Sequence, residues 1–165
     1  MRRVLAGSLI ACLHLLADTH HLAAAPHGAA ISIAPSEGVV RIRDHRGGFL
    51  PDIMRHRDRL AGLGMPVRID GAYCFSSCTV FLSLPDVCVR SFTRFGFHAP
   101  TGRDGRRLDA AEFERATRFV ADLYTPQLAA WWLETGRHVR NGFAFLTGSE
   151  LADMGYSLCA GSEGS

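Results

Sequence analysis

Gly71-Ala72-Tyr73-Cys74-Phe75-Ser76-Ser77-Cys78-Thr79-Val80-Phe81-Leu82 decides how this chain is read, together with Val87-Cys88-Val89-Arg90 and Phe95-Gly96-Phe97-His98-Ala99-Pro100 behind it. An apolar strand ending near Asp70 enters through a glycine. A small polar run follows, then a short apolar helix, and two further strands deliver a histidine. A serine at the first turn of a helix has its hydroxyl near unpaired backbone N–H groups and the positive end of the helix dipole, where an oxyanion is stabilised. The order strand, serine, helix, strand, histidine therefore points to acyl transfer.

Working outward, Ala29 to Ala34 and Val39 to Arg43 have the β-branched alternation of short strands around a Pro-Ser-Glu-Gly turn. Asp44 to Gly48 is a polar, glycine-ended loop. Pro51 opens a helix carrying Ile53, Met54, Leu60 and Leu63, which Gly62 and Gly64 stop. Val67 to Asp70 is the next strand, Ser77 to Leu84 the short buried helix, and Val87 to Arg90 and Arg94 to Phe97 the strands after it. The loop Thr101 to Arg107 is flexible and exposed, and it borders the histidine.

Asp109 caps a helix running to about Tyr124, with Phe113, Ala116, Phe119, Val120 and Leu123 on one face. Thr125-Pro126 starts another, containing Trp131 and Trp132, which Gly136 ends; the aromatic pair reads as core or a partner-helix surface, ahead of a ligand platform. Thr147-Gly148-Ser149-Glu150 is a capping box for a final short helix, and Tyr156 to Cys159 is a last strand.

Composition narrows the class. The 165 residues suit one domain, 47% hydrophobic and 21% charged residues are those of a globular protein, and a net charge of +2 gives no case for nucleic acid. All 18 basic residues are arginine, so a Ser-Lys dyad is impossible. Met1-Arg2-Arg3, the apolar Val4 to Leu16 and the small residues Ala23-Ala24-Ala25 or Gly28-Ala29-Ala30 read as an export signal, assigned to 1–25 and leaving 26–165 as a single α/β domain. A retained anchor is the alternative and would be the only route to a membrane. Without Cys12 the mature chain keeps Cys74, Cys78, Cys88 and Cys159, which suit an oxidising compartment and allow three pairings. No histidine or cysteine pair completes a zinc set, so neither metal nor cofactor is expected.

Cys74-Phe75-Ser76-Ser77-Cys78-Thr79 followed by Phe95-Gly96-Phe97-His98-Ala99-Pro100 resembles the nucleophile and histidine motifs of the ClpP/crotonase superfamily, especially its secreted, Clp-protease-like bacterial members. His45-Arg46-Gly47-Gly48 looks like the oxyanion loop of that family, and Phe145 to Tyr156 like its closing helix; the likeness covers about Val39 to Cys159. It implies a repeated ββα spiral with C-terminal helices. His45-Arg46 departs from the family's Ser-Pro, and signal-like sequence replaces its N-terminal strands, so part of the usual sheet is expected to be missing. Aligned helices form a handle between subunits in the family, which implies a homo-oligomer.

On this resemblance Ser77 aligns with the nucleophile, Ser76 falling one position early. His98 is the general base, Gly48 and Cys78 supply the oxyanion N–H groups, and Asn141 stands near the family's aspartate. Asp122, Glu134 and Asp153 are alternatives for that third member. Each residue also has a plain reading: a serine that caps a helix, a structural histidine, a glycine pair in a loop, an asparagine in a turn. His45 and His138 have no supporting motif. The expected function is an exported Clp-like serine peptidase acting on peptide or protein; the alternative is a silent, disulfide-stapled binding or assembly module. Acyl-CoA chemistry fits poorly with export.

Overall fold

The computed structural model describes residues 31–34 and 38–161, so the expected export signal over 1–25 and Cys12 lie outside the described residues. The described chain is mixed α/β, with a five-stranded and a three-stranded sheet. The larger holds β1 (Ile31–Ala34), β2 (Val39–Ile42), β3 (Val67–Ile69), β5 (Val87–Val89) and β8 (Ser157–Leu158), in that order. β1 is antiparallel to β2, and every later pairing is parallel. The smaller holds β4 (Tyr73–Phe75), β6 (Arg94–Phe97) and β7 (Ala144–Thr147), with β4 parallel and β7 antiparallel to β6.

The chain alternates between the sheets. β3 passes through Gly71 into β4 and a 3₁₀ helix, Ser76–Ser83; β5 passes into β6 and the helices α2 (Ala110–Ala121) and α3 (Pro126–Glu134). Helix α1 (Leu50–Leu63) crosses from β2 to β3, and α4 (Gly148–Asp153) from β7 to β8. Pro51 in the first turn of α1 and the left-handed Gly64 at its end mark the limits expected of them. Asp109 with Glu112, and Thr147 with Glu150, form capping boxes.

Three departures have local causes. The helix after the serines is 3₁₀, begins at Ser76 and is eight residues long, beyond the usual length of that conformation. Hydroxyls of Thr79 and Ser83 donate to the carbonyls of Ser76 and Val80, holding its tight turns. Tyr73–Phe75, read as part of a polar run, is a strand with Cys74 inward. Phe145 to Thr147, read only as the approach to a helix, is an edge strand.

Val40, Ile42, Ile69, Phe81, Val89, Phe95, Phe97, Leu128 and Leu151 are fully buried and join both sheets to the helices in one core. Trp132 is buried and donates its indole N–H to Thr117 O at 3.0 Å, while Trp131 is half-buried against the core. Asp70, ending β3, is buried between Arg41 and Arg43. Burial alone would raise its carboxyl, but the two guanidiniums outweigh this and hold it below the usual range.

The four cysteines pair as Cys74–Cys78 and Cys88–Cys159. Two disulfides suggest a non-cytoplasmic environment. Among the described residues no helix is long and apolar enough to cross a membrane. The Cys88–Cys159 bond spans a sequence separation of 71 and the Cys74–Cys78 bond one of 4, so the first removes far more freedom from the unfolded chain. Replacing Cys88 and Cys159 by serine should lower the urea-unfolding free energy by about 4 kcal/mol, against about 2 kcal/mol for Cys74 and Cys78. An equal loss would show that the short bridge carries native contacts as well.

Candidate active site

The site is built where β4 turns into the 3₁₀ helix. Ser76 takes φ +57° at that turn, one of two non-glycine residues at positive φ among the described residues; Asp44 is the other. An L-residue held there costs about 1–2 kcal/mol, and it persists only where the surroundings over-determine it. Three constraints meet at this point. The Cys74–Cys78 bond brackets the turn, with both cysteines fully buried. Thr79 Oγ1 donates to Ser76 O at 2.8 Å. Gly47, itself at φ +86°, lies so close that a Cβ there would stand 2.7 Å from Phe75 O, 2.8 Å from Ser76 Cβ and 3.0 Å from Ser77 N. Only a glycine lets this loop approach.

Strand β6 brings the histidine back. Ser76 Oγ lies 2.6 Å from His98 Nε2, so a ring protonated on Nδ1 accepts the hydroxyl proton at Nε2. Burial lowers the His98 pKa, with a smaller opposing effect from a backbone hydrogen bond to Ala99. The ring is therefore neutral, and fit to act as a base, down to a lower pH than an ordinary histidine. Phe143 meets the His98 ring edge-on at 5.2 Å and stacks on Phe75 at 5.0 Å. Gly96, between those two aromatics, leaves them their space, since a Cβ there would fall 2.8 Å from Phe75 Cδ1.

Ser77, aligned with the nucleophile on sequence, does not meet the imidazole. Its hydroxyl accepts from Gly48 N at 2.8 Å and donates to Gly48 O at 2.9 Å, clamping the glycine loop to the serine turn. The structure thus brings Ser76, Ser77, His98 and Gly48 together, with the imidazole on Ser76. Cys78, the other expected oxyanion residue, follows directly, its side chain committed to the disulfide. The glycine loop is held from beneath by His45, which is buried and whose Nδ1 accepts from Gly47 N at 2.9 Å. That acceptor requires a neutral ring; burial first, and the charge of His56 second, lower the His45 pKa.

Asn141 lies exposed in a bend, and it has no hydrogen bond to His98 among the described contacts. Asp122, Glu134 and Asp153 are exposed and do not bond the imidazole either. Among the described residues no group of three or more histidine, cysteine, aspartate or glutamate side chains could hold a metal ion. The sequence places His45 and Gly47 in the candidate oxyanion loop but not their supporting contacts, and it gives no sign of Phe143 beside the imidazole.

Ser76, Ser77, His98 and Gly48 open onto a cavity of about 720 Å³. Its floor carries Phe97, Val80 and Trp132, its outer wall the inner face of α2, and its mouth the loop with Gly102, Arg103 and Gly105. Comparison with protein-family models and with curated proteins finds no match to this chain.

Two outcomes follow from this geometry. Glycine suits the left-handed turn and alanine does not, so Ser76→Gly should be more stable than Ser76→Ala by about 1 kcal/mol in urea unfolding; a less stable glycine variant would mean the turn relaxes without the hydroxyl. His45, buried, and His98, half-buried, both titrate below their unfolded value, so the unfolded chain binds protons that the folded one does not. Stability is complete above about pH 6.5 and should fall as pH drops through it. Urea midpoints flat between about pH 7.5 and about pH 5.5 would contradict the burial of these rings.

Proposed function

We propose that this chain is an exported Clp-like serine hydrolase in which Ser76 is the nucleophile and His98 its base. The observation that carries this is the 2.6 Å approach of Ser76 Oγ to His98 Nε2, at a backbone-strained turn opening onto a cavity. In this reading Ser76 Oγ attacks a carbonyl carbon while its proton passes to Nε2. The tetrahedral oxyanion is held by backbone N–H groups of Gly48 and of Ser77, the residue after the nucleophile. His98 then gives the proton to the leaving group, and water repeats the sequence in reverse to free the enzyme. The bond cleaved is an amide or an ester, and the Clp-like resemblance favours a peptide.

Gly48 N reaches its oxyanion role by exchanging the Ser77 hydroxyl for the substrate oxygen. The repeated ββα spiral is part of the same proposal. Its support is the unit strand in one sheet, strand in the other, helix, which occurs as β3, β4 and the 3₁₀ helix, then as β5, β6 and α2.

One observation favours the silent module instead: no carboxylate orients His98 among the described residues, and such a group commonly fixes the tautomer. A fluorophosphonate probe separates the two. Labelling of the native chain should be abolished by Ser76→Ala and reduced at least about a hundredfold by His98→Ala. Ser77→Ala should retain it, with a loss of about tenfold from the loosened glycine loop. Labelling that vanishes with Ser77→Ala and persists in Ser76→Ala would move the nucleophile back one residue, and no labelling of the native chain would leave only the module.

A further inference from the structure

The cavity beside the serine is larger and drier than one amino-acid side chain requires. At about 720 Å³ it falls in the range that encloses a whole drug-sized ligand. Phe49, Phe97, Leu108, Ala116, Phe119 and Trp132 contribute to its walls. Phe49 and Phe119, both lining it, are 39% and 46% exposed.

Polar groups inside are already spoken for. Thr79 Oγ1 and Tyr124 Oη are 2.7 Å apart, and Thr79 also donates to Ser76 O. Tyr124 is half-buried as a residue, but desolvation of its hydroxyl raises its pKa and keeps it neutral. Three charged residues line the cavity: Arg103 and Arg115, both exposed, and Glu112, whose two oxygens Arg106 binds at 2.8 and 2.7 Å; Arg103 lies 4.8 Å above the Phe49 ring.

An extended peptide bound next to a nucleophile is recognised through main-chain pairing along a strand edge. The edge of β4 that leads to Ser76 is closed: His45 N donates to Tyr73 O at 3.2 Å, and Phe75 N donates to His45 O at 2.8 Å. What remains beside the nucleophile is a groove walled mainly by apolar side chains.

We infer that the acyl half of the substrate is one long apolar chain, and that the enzyme is an esterase for medium- or long-chain acyl esters. This rests on the Ser76–His98 reading and replaces the peptide with an ester. The bond between Ser76 Oγ and the acyl carbon forms as the ester C–O bond breaks. The serine proton travels through His98 to the departing alkoxide, and water then releases the fatty acid. The inner face of α2 sets the chain length.

The test compares p-nitrophenyl acetate, octanoate and dodecanoate on the full chain, beside labelling by the small fluorophosphonate. Each buried methylene contributes to transition-state binding, so kcat/KM should be at least about a hundredfold higher for octanoate than for acetate. Ala116→Trp, which fills the groove from α2, should cut octanoate turnover at least about tenfold more than acetate turnover. Phe119→Ala, at an exposed position that folding does not need, should weaken dodecanoate more than octanoate.

Labelling with equal rates along the ester series would overturn the acyl-chain assignment and leave the hydrolase standing. If the native chain does not label at all, the hydrolase fails separately. Calorimetric binding of decanoate, lost in Ala116→Trp, would then still support the groove as an acyl-chain site, and no binding would overturn that as well.

Discussion

The site depends on one strained backbone angle. Ser76 sits in the left-handed region, and what holds it there is a closed set of constraints: a disulfide across the turn, a threonine hydroxyl on its carbonyl, and a glycine pressed against its β-carbon. Relax any of these and the serine returns toward ordinary backbone, carrying its hydroxyl away from the imidazole. A strained residue at the mouth of a cavity is where stability is traded for a fixed reactive geometry. Supporting groups are layered beneath it. His45 fixes the glycine loop by accepting from Gly47 N, and Phe143, stacked on Phe75, braces the ring of His98.

Much of the frame was legible in the sequence because it rests on local chemistry. Pro51, Gly64, Asp109, Thr147 and Glu150 act at helix ends through their own side chains or missing ones, which needs no knowledge of the rest of the chain. The strands β2, β3, β5 and β6 announce themselves by apolar, β-branched or aromatic runs. β4 does not, since a three-residue strand with tyrosine and phenylalanine outside and a cysteine inside resembles the polar turn that follows it. The edge strand β7 is hidden by the helix cap at its end.

Pattern puts Ser77 in the nucleophile's place, whereas the imidazole lies on Ser76. Ser76 and Ser77 are indistinguishable by type, and which of them meets His98 is set by the sign of a backbone angle that residue pattern does not encode. Geometry gives the imidazole to Ser76 and the glycine loop to Ser77. The disulfide pairing was beyond reach for a similar reason: four cysteines leave three connectivities until β8 is laid beside β5, which brings Cys159 to Cys88. The inner face of α2 was visible as an amphipathic stripe. That part of it lines a cavity instead of packing fully against the core depends on where the preceding loop sets the helix down.

The Cys88–Cys159 bond has a topological consequence for His98. Together with the backbone it closes a covalent ring that contains β6, the histidine, the exposed Thr101 to Arg107 loop, α2, α3, β7 and α4. Ser76 lies outside that ring. A protease that nicks the loop would open the ring without releasing a fragment, so the severed protein stays in one piece until a reductant arrives. Ser76 and His98 both precede the loop and stay on one backbone fragment, and the bond keeps α2, α3, β7 and α4 attached to it.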